Sequence, residues 1–131
     1  MTYGWYQKLI KPAFAPPAYL FGIVWSILYP IILATFAYVF YLAFNRTIPM
    51  IVALPFALNL LFNLAFSPIQ FSLQNNLLAS IDIVLVVATL AWALYWIYPY
   101  SKFVFYANLP YLFWVMFATV LQLSITYLNW R

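Results

Sequence analysis

The chain has 131 residues, of which 69% are apolar and only 5% charged, with a net charge of +4; a soluble domain carries about a quarter charged residues, so water is not the solvent for most of this surface. There is no Cys, no His and no Glu, and Asp82 is the single acid. That inventory excludes disulfides, thiolate chemistry, His-based metal or haem ligation, Ser-His triads and paired-carboxylate catalysis, and it points away from an enzyme.

In chain order, the stretch from Met1 to Pro12 has no apolar run behind a basic start and no small-residue cleavage site, so no removable signal peptide is expected. Pro12, Pro16 and Pro17 stiffen residues 1–17 into an entry loop. Four apolar stretches follow, at approximately 18–44, 48–66, 77–98 and 103–130. Each reaches the roughly 20 helical residues needed to cross a hydrocarbon core of about 30 Å. Lipid offers no partner to backbone polar groups, and barrel-type alternation is absent, so these spans should be helices. The expected fold is an all-α integral membrane domain over 1–131, a bundle of four transmembrane helices joined by short loops.

The first stretch stacks Trp25 on Tyr29 beside Gly22 and Ser26, with Pro30 expected to kink it. In the second, Asn59 and Asn63 lie one turn apart and mark an inner side. Ala53 and Ala57, also one turn apart, point to a roughly opposite face, which suggests a small-xxx-small contact and a homodimer; Pro55 is expected to bend this helix. The third stretch lines up Leu78, Asp82, Leu85, Thr89 and Trp96 at about 100° per residue. Asp82 falls about one turn inside the helix start, where the helix dipole, Lys11 and Arg131 offset an anion. The fourth lines up Tyr111, Trp114, Ala118, Gln122, Ile125 and Asn129. Polar groups facing lipid are costly, so both stripes should face the bundle.

Tyr95, Trp96, Tyr98, Tyr100, Tyr127 and Trp130 sit near span ends as interfacial anchors. The five cations, Lys8, Lys11, Arg46, Lys102 and Arg131, all fall outside the apolar runs. Scattered in this way they suit loops at a headgroup surface and not nucleic acid. An even number of spans puts both termini on one side, and three cations there against two opposite favour cytoplasmic termini. The amide-bearing stripes have two readings: interhelical hydrogen bonds that only hold the bundle, or a pocket for a flat, mostly apolar ligand with a few polar substituents.

Trp5-Tyr6, Leu9, Lys11-Pro12, Pro16-Pro17, and Trp25 with Leu28-Tyr29 reproduce, in order and spacing, the WY-x-x-L-x-KP-x-x-x-PP…W-x-x-LY signature. Asn63, Pro68, Phe71, Ala79 and Asp82 follow in register, then Pro110-Tyr111-Leu112, Trp114, Phe117-Ala118-Thr119 and Leu128-Asn129. From Trp5 onward the chain resembles the translocator protein family, also called tryptophan-rich sensory proteins or peripheral benzodiazepine receptors. The resemblance implies a small bundle in a bacterial or organelle membrane, commonly a homodimer, with no obligatory cofactor. It also implies a lidded cavity for porphyrin, haem, sterol or synthetic benzodiazepine-site ligands. By position that cavity would be lined by Phe21, Gly22, Trp25, Asn63, Leu78, Ile81, Leu85, Ala118, Leu121 and Gln122, with Lys11 on the lid meeting anionic substituents. A sterol-contact pattern recurs as Leu123, Tyr127 and Arg131, a weak pattern by itself.

The chain departs from the family in three ways. The family has five helices, and the first would precede Trp5, where this chain has four residues. Leu64, Phe66 and Leu78 stand where relatives carry Trp or another large aromatic residue, and Gln122 stands for the usual Asn. The implied function is ligand binding by a multi-pass membrane protein acting as sensor, carrier or scavenger. Two other classes remain open: a small four-helix transporter coupled to protons through Asp82, and a structural subunit that binds no ligand.

Overall fold

The structure is a computed structural model describing residues 18–69 and 75–128. The lid loop with Lys8 and Lys11, and the C-terminal Asn129, Trp130 and Arg131, lie outside the described residues. In chain order come helix α1 (Ala18–Phe44), a single 3-10 turn (Met50–Val52), α2 (Ala53–Ser67), α3 (Asn76–Ile97), α4 (Lys102–Ala107) and α5 (Leu109–Leu128). Every regular element among the described residues is helical.

The first helix runs from the first described residue, Ala18, to Phe44, where its apolar run ends, and Pro30 sits inside it. It ends in a Schellman turn: the Thr47 N–H donates to the Leu42 carbonyl at 2.9 Å and the Arg46 N–H to the Ala43 carbonyl at 3.1 Å. Arg46 therefore takes the left-handed conformation, with φ 60°.

The second span starts later than expected. The chain leaves Pro49 through the 3-10 turn, and α2 begins at Ala53. Pro55 is thus the third residue of the helix, where a backbone N–H has no intrahelical acceptor to lose, and it starts the helix without bending it. The third span begins at Asn76, with the Asn75 side chain accepting from the Leu78 N–H at 2.9 Å as N-cap.

The fourth span is two helices, not one. Pro110 has no N–H to offer the Tyr106 carbonyl and its ring crowds that turn, so the helix breaks at Asn108. The Asn108 side chain fills the break: its Nδ2 donates to the Val104 carbonyl at 2.9 Å and to Thr35 Oγ1 at 3.0 Å.

Three segments are long and apolar enough to cross a membrane, Tyr19–Phe44, Asn76–Ile97 and Lys102–Leu128 counted across its break, with Met50–Phe66 a shorter apolar helix. The exterior matches that reading, since Ile27, Leu33, Leu61, Phe103 and Phe113 are all more than half exposed. Helix α3 packs along both α2 and α5. Helix α1 lies against α2, α4 and α5. The apolar core joins Ile32, Phe36 and Val39 of α1 to Phe56 of α2, Val86 and Leu90 of α3, and Tyr111 of α5.

Candidate functional site

Amides and hydroxyls inside an apolar bundle are costly unless partnered, and here they are joined across four helices. Tyr111 of α5 is fully buried and forms the hub. Its hydroxyl donates to Asn59 Oδ1 at 2.8 Å and accepts from Asn63 Nδ2 at 2.6 Å, tying α5 to both asparagines of α2. Asn59 Nδ2 donates onward to the Val86 carbonyl at 2.9 Å and to Thr89 Oγ1 at 3.2 Å, both on α3. The Thr89 hydroxyl in turn donates to the Leu85 carbonyl at 2.8 Å. At the other end the Tyr29 hydroxyl of α1 donates to Asn63 Oδ1 at 3.3 Å.

Aromatic rings cover the α1 end of this chain of bonds. Trp25 stacks on Tyr29 at 4.9 Å between centroids and presents an edge contact to Tyr111 at 6.1 Å. One turn earlier on α1, Phe21 meets Trp114 edge-on at 5.8 Å, and Trp114 lies 5.5 Å from Phe117. Trp25 and Phe21 are half-buried, and a methyl group added at Gly22 would meet no heavy atom within 4 Å. The Trp114 indole Nε1 is buried with no acceptor among the described residues. The result is a half-open aromatic face between α1 and α5 backed by a satisfied polar chain.

Phe21 and Trp25 thus meet the aromatic rings of α5, and Asn63 bonds behind them, while Gly22 is exposed on α1 beside Phe21. Ala118 lies half-buried against the core. Leu121 and Gln122 are buried in the seam between α3 and α5, where the Gln122 amide donates to Thr126 Oγ1 at 3.2 Å and to the Asn76 carbonyl and side-chain oxygen at 3.4 Å. That amide is used as interhelical glue. Leu78 and Leu85 of the expected inward stripe on α3 are 40% and 37% exposed, and Ile81 of the implied lining is 51% exposed, so these three lie on the outer side of α3. Asp82 and Thr89 of the same stripe are buried. Leu123 and Tyr127 are exposed on α5. In α2, Ala57 is exposed but Ala53 belongs to the core, so the two do not form one free surface.

Asp82 also differs from expectation. It is the seventh residue of α3, nearly two turns from the start, and its Oδ2 is buried with no partner among the described residues. The two described cations, Arg46 and Lys102, belong to the opposite end of the bundle. Lys11 and Arg131, the expected counter-charges, lie outside the described residues.

Tyr111, Asn59, Asn63 and Thr89 were legible as members of polar stripes, but the meeting of both asparagines at the Tyr111 hydroxyl, and the onward bond from Asn59 to Thr89, were not. Two further joints were also missed, Thr35 with Asn108 and the Ser80 with Thr126 hydroxyl pair. The usable signal was a hydroxyl or amide inside each apolar run, which needs a partner wherever it lands.

The sequence profile of the TspO/MBR family matches residues 1–128. The chain belongs to the TspO/MBR family. It is 37% identical over 125 residues, 95% of this chain and 80% of the relative, to the uncharacterized membrane protein YtaB of Bacillus subtilis. It is 34% identical to the tryptophan-rich protein TspO of Bacillus cereus, again over 95% of this chain and 80% of the relative. It is 32% identical to the human translocator protein, over 97% of this chain and 73% of that protein. Family membership and the three long apolar helices together make this an integral membrane protein.

Proposed function

We propose that this protein binds a flat, mostly apolar molecule of the porphyrin, haem or sterol kind at the Trp25 face, as a sensor, carrier or scavenger and without catalysis. The observation that carries this reading is the half-open aromatic face of Phe21, Trp25, Tyr29, Trp114 and Phe117, with open space at Gly22 and a hydrogen-bonded layer behind it. A ring system gains apolar contact and stacking there, while the polar layer keeps the wall in place. Relatives carry the names tryptophan-rich sensory protein and translocator protein, in keeping with a role in sensing or moving a small molecule. The lid over the site would be the loop bearing Lys11, and self-association would use the exposed side of α2 at Ala57.

Titration of the purified protein with protoporphyrin IX, followed by its visible absorption band, tests this. Saturable binding should weaken in Trp25→Ala by between about twofold and about tenfold, the worth of one aromatic pair, and should recover largely in Trp25→Phe. Lys11→Gln should weaken the dicarboxylate but not its dimethyl ester. Unsaturable binding, or an affinity indifferent to Trp25→Ala, would refute the site.

One observation favours a second reading. The Asp82 Oδ2, buried without a partner among the described residues, is the kind of group through which a membrane carrier couples to protons. Efflux driven by a pH gradient in vesicles, abolished by Asp82→Asn, would decide for that reading.

A further inference from the structure

The end of the bundle opposite the Trp25 face holds a concavity. An open groove of about 800 Å³ lies where the chain enters α2 and leaves α3, with Pro49 and Ile51 on one wall and Tyr95, Trp96, Tyr98 and Tyr106 on the others. That volume is within the roughly 300–1,000 Å³ of small-molecule sites. The walls are set by packing: Tyr98 meets Phe105 edge-on at 4.9 Å, and Phe105 meets Tyr106 at 5.1 Å. Lys102 caps the rim, its Nζ 5.6 Å from the centre of the Tyr98 ring.

Charge at this end is all of one sign. Lys102 and Arg46 are both here, and the only acid, Asp82, lies 13 residues before Tyr95 on α3, about 20 Å away at the helical rise. No salt bridge neutralises either cation among the described residues. Arg46 carries a separate mark. It occupies the left-handed position of the Schellman turn, three residues before the groove residue Pro49, where glycine would fit without cost and a side chain adds strain. Strain retained at one residue is a sign that its side chain is needed there.

We propose that this groove is a site for one anionic glycerophospholipid, with an acyl chain along Ile51 and Trp96, tyrosine hydroxyls at the glycerol level, and the phosphate between Lys102 and Arg46. The aromatic lining at a span end suits the depth at which a lipid changes from polar to apolar. The unneutralised cations select the charge of its headgroup. The site does not depend on the tetrapyrrole reading, since the two share no residue.

Native mass spectrometry of the full chain in non-ionic detergent, with phosphatidylglycerol and phosphatidylcholine of equal acyl chains in equal amounts, tests this. A single retained phosphatidylglycerol should dominate. Lys102→Gln and Arg46→Gln should each lower the preference by about fivefold, and Lys102→Arg should keep it. Arg46→Gly separates binding from folding, because it should raise thermal stability while lowering the preference. Equal retention of the two lipids, or a preference that survives the double Gln variant, would overturn the proposal. So would displacement of the phospholipid by protoporphyrin IX, which would make the groove the tetrapyrrole site. A dimer that phosphatidylglycerol dissociates would likewise overturn it, by making the groove an interface between copies.

Discussion

Removing one oxygen tests whether the bundle is held by its polar chain. In Tyr111→Phe the ring stays in its fully buried place, edge-on to Trp25 and packed near Phe36, while the hydroxyl that serves both Asn59 and Asn63 is lost. Interhelical hydrogen bonds in membrane proteins are worth about 0.6 kcal/mol on average and up to about 1.7, so losing two costs about 1–3 kcal/mol. Tyr29→Phe is the matched control. Its bond to Asn63 is longer, 3.3 Å, and its side chain more exposed, so the loss should stay below about 0.6 kcal/mol. Reversible unfolding in mixed micelles titrated with dodecyl sulfate, followed by helicity, measures both. Asn63→Leu should cost less in the Tyr111→Phe background than alone, because the two act through one contact. If Tyr111→Phe unfolds within error of the unmutated protein, or the two variants add, the hydroxyl is not the hub and apolar packing alone holds these helices.

Asp82→Asn should leave stability unchanged or raise it by about 1–3 kcal/mol in the same titration, since it relieves a buried acid oxygen without a described partner; a clear loss would show that Lys11 or Arg131 neutralises the carboxylate. Asn108→Ala should lower stability by about 1–2 kcal/mol by removing the bonds that fill the helix break and pin α1 through Thr35, and the change should appear as faster amide exchange around residue 108. If the proposed self-association uses this side of α2, Ala57→Leu should lower the yield of crosslinked dimer with the protomer intact, whereas Ala53→Leu should destabilise the protomer itself by about 1–3 kcal/mol by overpacking the core. Retention of the dimer in Ala57→Leu would remove this side of α2 from the interface.

The first helix was legible through to its end at Phe44, where its apolar run stops. The fourth was not, because apolar content runs on through Asn108 while the backbone does not. Pro110 carried the signal, since a proline seven residues into a span demands a local remedy and an asparagine two residues before it supplies one. The failure on α3 has a different origin. Leu78, Leu85, Asp82 and Thr89 share an arc by angle, yet the leucines are exposed and the polar pair buried. The arc straddles the edge of the buried face, which centres on Ala79, Ile83, Val86 and Leu90, and because lipid solvates leucine about as well as a protein core does, the leucines carried little information about where that edge lies. Asn59, Asn63 and Gln122 do carry it, and each was found inside.

The same physics decides how far the two readings of those amides compete. Gln122 is committed: its donors are used within the α3 and α5 seam, and a ligand reaching it would have to break that seam. Asn63 is also committed, to Tyr111 and Tyr29, but it stands directly behind the aromatic face. Tyr111 belongs to both systems at once, with its ring against Trp25 and its hydroxyl between the asparagines of α2. A molecule that moved Trp25 would therefore press on a ring whose hydroxyl sets the spacing of α2 and α5 and, through Asn59, of α3. Glue and site are then two faces of one residue. That arrangement gives a sensor or carrier a physical route from an occupied aromatic face to the packing of the helices behind it.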